Sequence, residues 1–107
     1  MPRFDVYTNP EVSEWRHTPF LLDVQNDHID GLGTRVVIPL RREAAFGPRA
    51  ARLNPTVSLS AQTLVLDTVA LGAVPSSELR KAVGELRSAQ PEVLGALGAL
   101  GALFGSY

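Results

Sequence analysis

Alternating apolar and polar residues near the start of the chain predict a first β-strand. Phe4 and Val6 fall on one side of an extended segment and Asp5 falls on the other. A period of two is typical of a strand that is buried on one face. Residues 10–19 are polar and are bounded by prolines, which remove backbone donors, so this stretch is predicted to be a loop with at most a turn of helix.

Two further apolar segments predict a β-hairpin. Residues 20–25 and 34–40 are rich in apolar residues, and the second contains the β-branched run Val36, Val37 and Ile38, which favours a pleated sheet. The segment between them contains Asp30-Gly31 and Gly33, and glycine suits a turn that needs positive φ. The two strands are therefore expected to pair in antiparallel fashion across a long loop.

The middle of the chain predicts a loop and then more sheet. Residues 41–55 are basic and alanine-rich with glycine and proline interruptions, which indicates a loop with a short helix. Three short apolar runs follow at close spacing, in residues 57–59, 63–67 and 69–74. This spacing is typical of an antiparallel meander. The body of the protein is predicted to be an antiparallel sheet or a partly open barrel, so the fold class is α+β and mainly β.

From residue 75 onward the apolar period changes from two to that of a helix. Leu79, Val83 and Leu86 are spaced at i, i+4 and i+7, and the pattern continues to Phe104, which predicts a C-terminal helix. Residues 95–103 read GALGALGAL, and three glycines in a helix cost roughly 1 kcal/mol each relative to alanine. Either another backbone or subunit packs closely on them, or the repeat is compositional drift.

Composition narrows the class of protein. The 107 residues are expected to form one domain, residues 1–107, and the absence of cysteine excludes disulfides and thiolate metal sites. Ten basic and eleven acidic residues give a net charge of −1, which argues against nucleic acid as the main partner. No segment reaches the ~18 apolar residues of a membrane span, and the first residues lack the apolar run of a signal peptide. We expect a cytoplasmic protein that neither associates with a membrane nor binds a cofactor.

One block of sequence resembles a known family. Residues 20–40 read FLLDVQNDHIDGLGTRVVIPL. Two parts of this block resemble the DVQ and VIPL segments of the CcdB toxins: Asp23-Val24-Gln25 and the run from Val37 to Leu40. Phe4, Val6 and Tyr7 are similar to the first strand of that family. Three later parts of the chain are also similar to segments of the family: Leu53, Pro55 and Val57; the run Ala73-Val74-Pro75; and Leu103-Phe104.

The resemblance implies a fold, partners and a mechanism. The CcdB family has an SH3-like antiparallel sheet with a C-terminal helix and forms a symmetric homodimer. Its members are toxins of type II toxin–antitoxin systems that bind the DNA gyrase A subunit and act as topoisomerase poisons, not as enzymes. A CcdA-like antitoxin neutralises them, and the pair acts as a repressor of transcription that reaches operator DNA only through the antitoxin.

The resemblance also implies the residues that contact gyrase. Ile29 matches the family, whereas His28 and the last three residues depart from it. The family ends in Trp-Gly-Ile, whereas this chain ends in Gly105, Ser106 and Tyr107. Loss of a tryptophan anchor removes several kcal/mol of partner binding, so gyrase poisoning is expected to be weakened, retargeted or lost. The residues implied for gyrase binding are His28, Ile29, Gly101, Phe104, Gly105, Ser106 and Tyr107.

Other features leave several functions open. The basic stretch is a solvated loop, a surface for an acidic antitoxin tail, or a contact with nucleic acid. Its residues are Arg41, Arg42, Arg49 and Arg52. Trp15 is expected to cover the sheet or to anchor a partner. Neither His17 nor His28 has neighbours at metal-ligand spacing, and no catalytic nucleophile is apparent. The alternatives are a MazF-like mRNA endoribonuclease, or a degenerate CcdB relative that serves only in antitoxin binding and co-repression.

Overall fold

The structure, a computed structural model, describes residues 2–28, 31 and 33–105. Its regular elements are mainly short strands, with several one-turn 3-10 helices between them and a single α-helix among the described residues. The strands are β1 (Asp5–Thr8), β2 (Phe20–Asp23), β3 (Thr34–Arg42), β4 (Thr56–Leu59), β5 (Gln62–Leu66), β6 (Gly72–Pro75) and β7 (Ala82–Glu85), and the helix is α1 (Gln90–Phe104).

The sheet is antiparallel and is built around β3. The order is β4-β5-β3-β2-β1-β7, and β6 also pairs with β3. In the hairpin of β2 and β3, Leu22 lies opposite Ile38. The start of β3 pairs with β6 and its end pairs with β5. One nine-residue strand therefore contacts three others. The predicted α+β class, mainly β with a C-terminal helix, is confirmed.

The predicted meander is wrong between its second and third strands. β5 and β6 do not pair with each other, because each pairs with a different part of β3. A 3-10 turn at Thr68–Ala70 separates them. The strand β3 also runs further than predicted, since it includes Arg41 and Arg42, which the sequence assigned to a loop.

The predicted helix begins too early. The segment with Leu79, Val83 and Leu86 contains β7, which pairs with β1 at the edge of the sheet. Leu79 and Leu86 are buried in different clusters, and Val83 is exposed. The helical spacing of these three residues is therefore coincidental. The β-branched Val83 and the flexible Gly84 both disfavour a helix there.

Apolar clusters cover both faces of the sheet. The larger includes the fully buried Leu22, Ile38 and Leu40, and α1 packs against it through Val93. The smaller contains Tyr7, Leu21, Val37 and Leu79. The expectation that β1 is buried on one face only is therefore wrong, because its neighbouring residues Val6 and Tyr7 are both buried, one in each cluster.

The loop between β2 and β3 contains two glycines with positive φ. Gly31 and Gly33 adopt φ of 75° and 71° in the loop between β2 and β3, which confirms the predicted need for positive φ there. In the described part of the chain, no helix has the length and apolar character required to cross a membrane.

Candidate functional site

The helix α1 is held at its start and exposed at its end. Pro91 occupies the first turn, where its missing N–H is not needed, and Glu92 is favourable beside the positive end of the helix dipole. Val93 and Ala96 are fully buried. Leu103 and Phe104 in the last turn are 59% and 83% exposed. An apolar helix end this open to solvent is typical of a surface that binds a partner.

Part of the predicted gyrase-binding set lies at this exposed end. Gly101 and Phe104 are exposed in the last turn of α1, and Gly105 follows half-buried, its N–H donating to the carbonyl of Gly101 at 3.0 Å. Ser106 and Tyr107 lie outside the described residues, as does Ile29. The structure therefore places three of the seven predicted residues together.

His28 lies far from that end within one chain. It is exposed, and its backbone N–H donates to Asn26 Oδ1 at 2.9 Å. His28 lines a hollow of ≈ 430 Å³ with Arg3, Arg87 and Gln90, and Gln90 is the first residue of α1. The helix from Gln90 to Phe104 rises about 21 Å. The structure does not bring His28 and Phe104 of the same chain into one patch.

The basic stretch is also divided by the fold. Arg41 is partly buried and forms an ion pair with Asp67, Nε to Oδ2 at 2.6 Å. Arg42 donates to Gln62 Oε1 at 3.1 Å, and Arg49 donates to the carbonyl of Asn54 at 2.8 Å. Arg52 is exposed in the loop. Three of the four guanidinium groups therefore bind groups within the chain.

A buried ion pair explains the DVQ segment, and the sequence analysis missed it. Asp23 is fully buried and Arg35 is 8% exposed in its side chain, with Arg35 Nε 2.8 Å from Asp23 Oδ2. A second bond joins Arg35 Nη2 to Asp23 Oδ1 at 3.0 Å. This bidentate geometry is the strongest form of the pair. The hydrogen bonds to Asp23 hold the pKa of Arg35 above its usual value.

Gln25 completes this polar group. Its backbone N–H donates to Asp23 Oδ1 at 3.0 Å, and its side-chain Oε1 accepts the backbone N–H of Val36 at 3.0 Å. Asp27, at the rim, lies 3.5 Å from Arg35. The signal in the sequence was Arg35, which directly precedes the apolar run of β3 and lies across the sheet from Asp23 in β2. A buried charge of this kind needs a partner across the sheet.

Burial also affects Tyr7 on the neighbouring strand. The ring lies in the smaller apolar cluster beside Leu21 and Val37. Desolvation, followed by the carboxylates of Asp5 and Asp23, raises the pKa of Tyr7 above its usual value near 10. The phenol is therefore neutral at pH 7, and the ring packs as part of the scaffold.

The described residues show no arrangement for metal chemistry. Among them, no group of three or more histidine or acidic side chains lies close enough together to hold a metal ion.

The family model described as CcdB protein matches residues 3–102 of the chain. That region contains the whole sheet and most of α1, and it ends before Phe104 and the last three residues.

Proposed function

The chain belongs to the CcdB family of toxin–antitoxin toxins, and on that premise we propose that it binds the DNA gyrase A subunit and inhibits it as a poison. A family match over most of the chain supports the toxin assignment. The observation that carries the target is the exposed apolar end of α1, where Phe104 is 83% exposed. Such a side chain is available to a partner at no cost in core packing.

The proposed assembly is a homodimer that presents both helix ends. His28 and Phe104 lie at opposite ends of α1 within one chain, so a second copy would be needed to bring the loop of one chain beside the helix end of another. Isologous association of two copies is the commonest form of homodimer. On this proposal the protein works in the cytoplasm without enzymatic activity.

A CcdA-like antitoxin is the proposed regulator. In the basic stretch, Arg52 is exposed and Arg49 is exposed with one guanidinium nitrogen bound to the carbonyl of Asn54. These two residues, together with the exposed Arg42, are the part of that stretch available to an acidic tail. Operator DNA would be reached only through the antitoxin, in keeping with a net charge of −1.

The divergent tail makes weak poisoning the expected result. Purified gyrase is incubated with DNA and the native chain, and trapped cleaved DNA is measured. A matched variant restores the family ending through Gly105→Trp, Ser106→Gly and Tyr107→Ile. A tryptophan hot spot contributes about 2 kcal/mol or more, so the variant is expected to act at about thirtyfold lower concentration.

The outcomes separate the proposed target from its alternative. Cleavage by both chains, with the variant more potent, supports gyrase as the target. If the native chain binds antitoxin but neither chain traps cleaved DNA, the protein is a co-repressor and not a poison. The observation that favours this second candidate is the departure at Gly105, Ser106 and Tyr107.

A further inference from the structure

A groove separates the loop after β1 from the strand β7, and the proposed gyrase surface does not use it. Its volume is ≈ 770 Å³. We call it the Trp15 groove, and its walls include Asn9, Pro10, Trp15, Arg80, Lys81 and Val83. It lies at the edge of the sheet and none of its lining residues belongs to α1, so a role for it does not require gyrase to be the target.

Two apolar side chains in the groove are exposed, and a hydrogen bond holds the larger one in place. Trp15 is 41% exposed, and its Nε1–H donates to the carbonyl of Asn9 at 2.7 Å, which holds the ring. Val83 is 49% exposed. Tryptophan is enriched among the residues that dominate binding energy at interfaces. A ring already held by a hydrogen bond loses little freedom when a partner covers it.

The strand β7 has a bulge at Val83. Val6 lies opposite Gly84, while the next residue, Tyr7, lies opposite Ala82. Val83 is therefore left without a partner in β1. A bulge redirects a side chain, and at the edge of a sheet it opposes pairing with another strand. An occupant of the groove would consequently be held by side chains and not by extending the sheet, which also disfavours pairing of β7 with a second copy.

The groove carries two cations that bind nothing in the described part of the chain. Arg80 and Lys81 are exposed, and neither forms a hydrogen bond or an ion pair with a described residue. Most other arginines, including Arg41 and Arg87, bind acceptors within the chain. Long cationic side chains beside an exposed tryptophan are suited to carboxylates on a partner.

An acidic hollow adjoins the groove on the side lined by Asn9, Pro10 and Glu78, and it does not include Arg80 or Lys81. Glu78 lines the Trp15 groove and also a second hollow, of ≈ 300 Å³, that includes Glu11 and Glu14. The charge therefore changes from positive at Arg80 and Lys81 to negative beyond Glu78. Like charges repel at close range, so a bound segment would need its carboxylates at the basic end alone.

We propose that the Trp15 groove binds a segment of a partner polypeptide in which carboxylates flank a large apolar residue on one side. The apolar residue contacts Trp15 and Val83, and the carboxylates contact Arg80 and Lys81. Neutral or basic residues occupy the other end, beside Glu78. The chemistry of the groove thus selects both the composition and the direction of the segment.

The single tryptophan of the chain allows a direct test. The probe is a synthetic peptide with three glutamates, then Leu-Phe-Leu, then three lysines. It is titrated into the full-length protein while the fluorescence emission of Trp15 is recorded. We expect a saturable change. Two control peptides keep Leu-Phe-Leu but carry glutamates at both ends or lysines at both ends, and both should bind several-fold more weakly.

Paired variants locate the binding. The double variant Arg80→Glu with Lys81→Glu should bind the peptide about tenfold more weakly, because two attractive contacts become repulsive. Thr63→Glu with Ser88→Glu, at two exposed positions outside the groove, should leave the affinity within about twofold. All four positions are exposed, and circular dichroism confirms that each variant is folded.

Three results would overturn the proposal. They are the absence of a saturable emission change, equal weakening by both pairs of substitutions, and an emission change on raising the protein concentration without peptide. The last would show that a second copy of the chain covers Trp15.

Discussion

The hairpin of β2 and β3 and the helix α1 differ in how much of their surface the chain itself uses. In the hairpin even the charged Asp23 and Arg35 are buried and bonded to each other. In α1 the last turn leaves Leu103 and Phe104 open to solvent. The hairpin block, which carries the clearest family resemblance, thus specifies the scaffold, whereas the end of α1 is free to change with the partner.

The largest expected effect is on stability and comes from the hairpin. Asp23→Ala leaves the guanidinium of Arg35 buried without its carboxylate, which costs about 3–5 kcal/mol. Urea unfolding measures this loss. The control is Asp67→Ala, which removes the more exposed partner of Arg41 and should cost about 1 kcal/mol. Equal losses in the two variants would contradict the view that the hairpin holds the fold.

The next effect is on binding and comes from the helix end. Phe104→Ala should change the free energy of unfolding by less than about 0.5 kcal/mol, because the ring is 83% exposed. Binding to the gyrase A subunit should fall by about 2 kcal/mol, measured by calorimetry. Val69→Ala, at another exposed apolar side chain, should change neither quantity. A large loss of stability in Phe104→Ala would show that the chain itself uses this end.

A smaller effect tests the glycines of α1. An alanine Cβ at Gly98 would meet nothing within 4 Å, so Gly98→Ala should stabilise the fold by about 1 kcal/mol through helix propensity. The matched reverse change, Ala99→Gly, should destabilise it by a similar amount. Thermal unfolding measures both. Destabilisation by Gly98→Ala would show that another backbone packs on this face, the first of the two explanations for the GALGALGAL repeat.

The smallest effect is a change in pH dependence at Tyr7. Its raised pKa means that the folded chain keeps the phenol proton at pH values where the unfolded chain releases it. This contribution to stability is complete below pH ~10 and is lost as the pH rises through the folded pKa. Tyr7→Phe should therefore reduce the loss of stability between pH 9 and 11, followed by urea midpoints. An unchanged slope would exclude Tyr7 as its source.

Local sequence predicted those parts of the fold that depend on local preferences. The β-branched run of β3 and the glycines before it were sufficient for the hairpin. The strand β7 was missed because its pairing with β1 joins residues about 80 positions apart. The apolar residues in and beside β7 mimic a helical period, although Leu79 and Leu86, which flank the strand, belong to different clusters.

The candidate sites, like the fold, could be predicted from the sequence only in part. The density of arginines made residues 41–52 one candidate for a binding surface, with a solvated loop as the alternative. The fold gives Arg41 and Arg42 partners that lie more than fifteen positions away in the chain. The available cations at Arg80 and Lys81 could not be distinguished from these by composition. Whether a charge is free depends on tertiary contacts, and only the structure supplies those.

The pairing of β1 with β7 has a consequence for how the protein forms. The strand β1 is synthesised first, but one of its edges is completed only when residues 82–85 have been made and brought back to it. Contacts between such distant residues slow folding, because a long loop must close before they contribute. The sheet therefore closes late in synthesis, only shortly before the residues of α1 that pack on it are made.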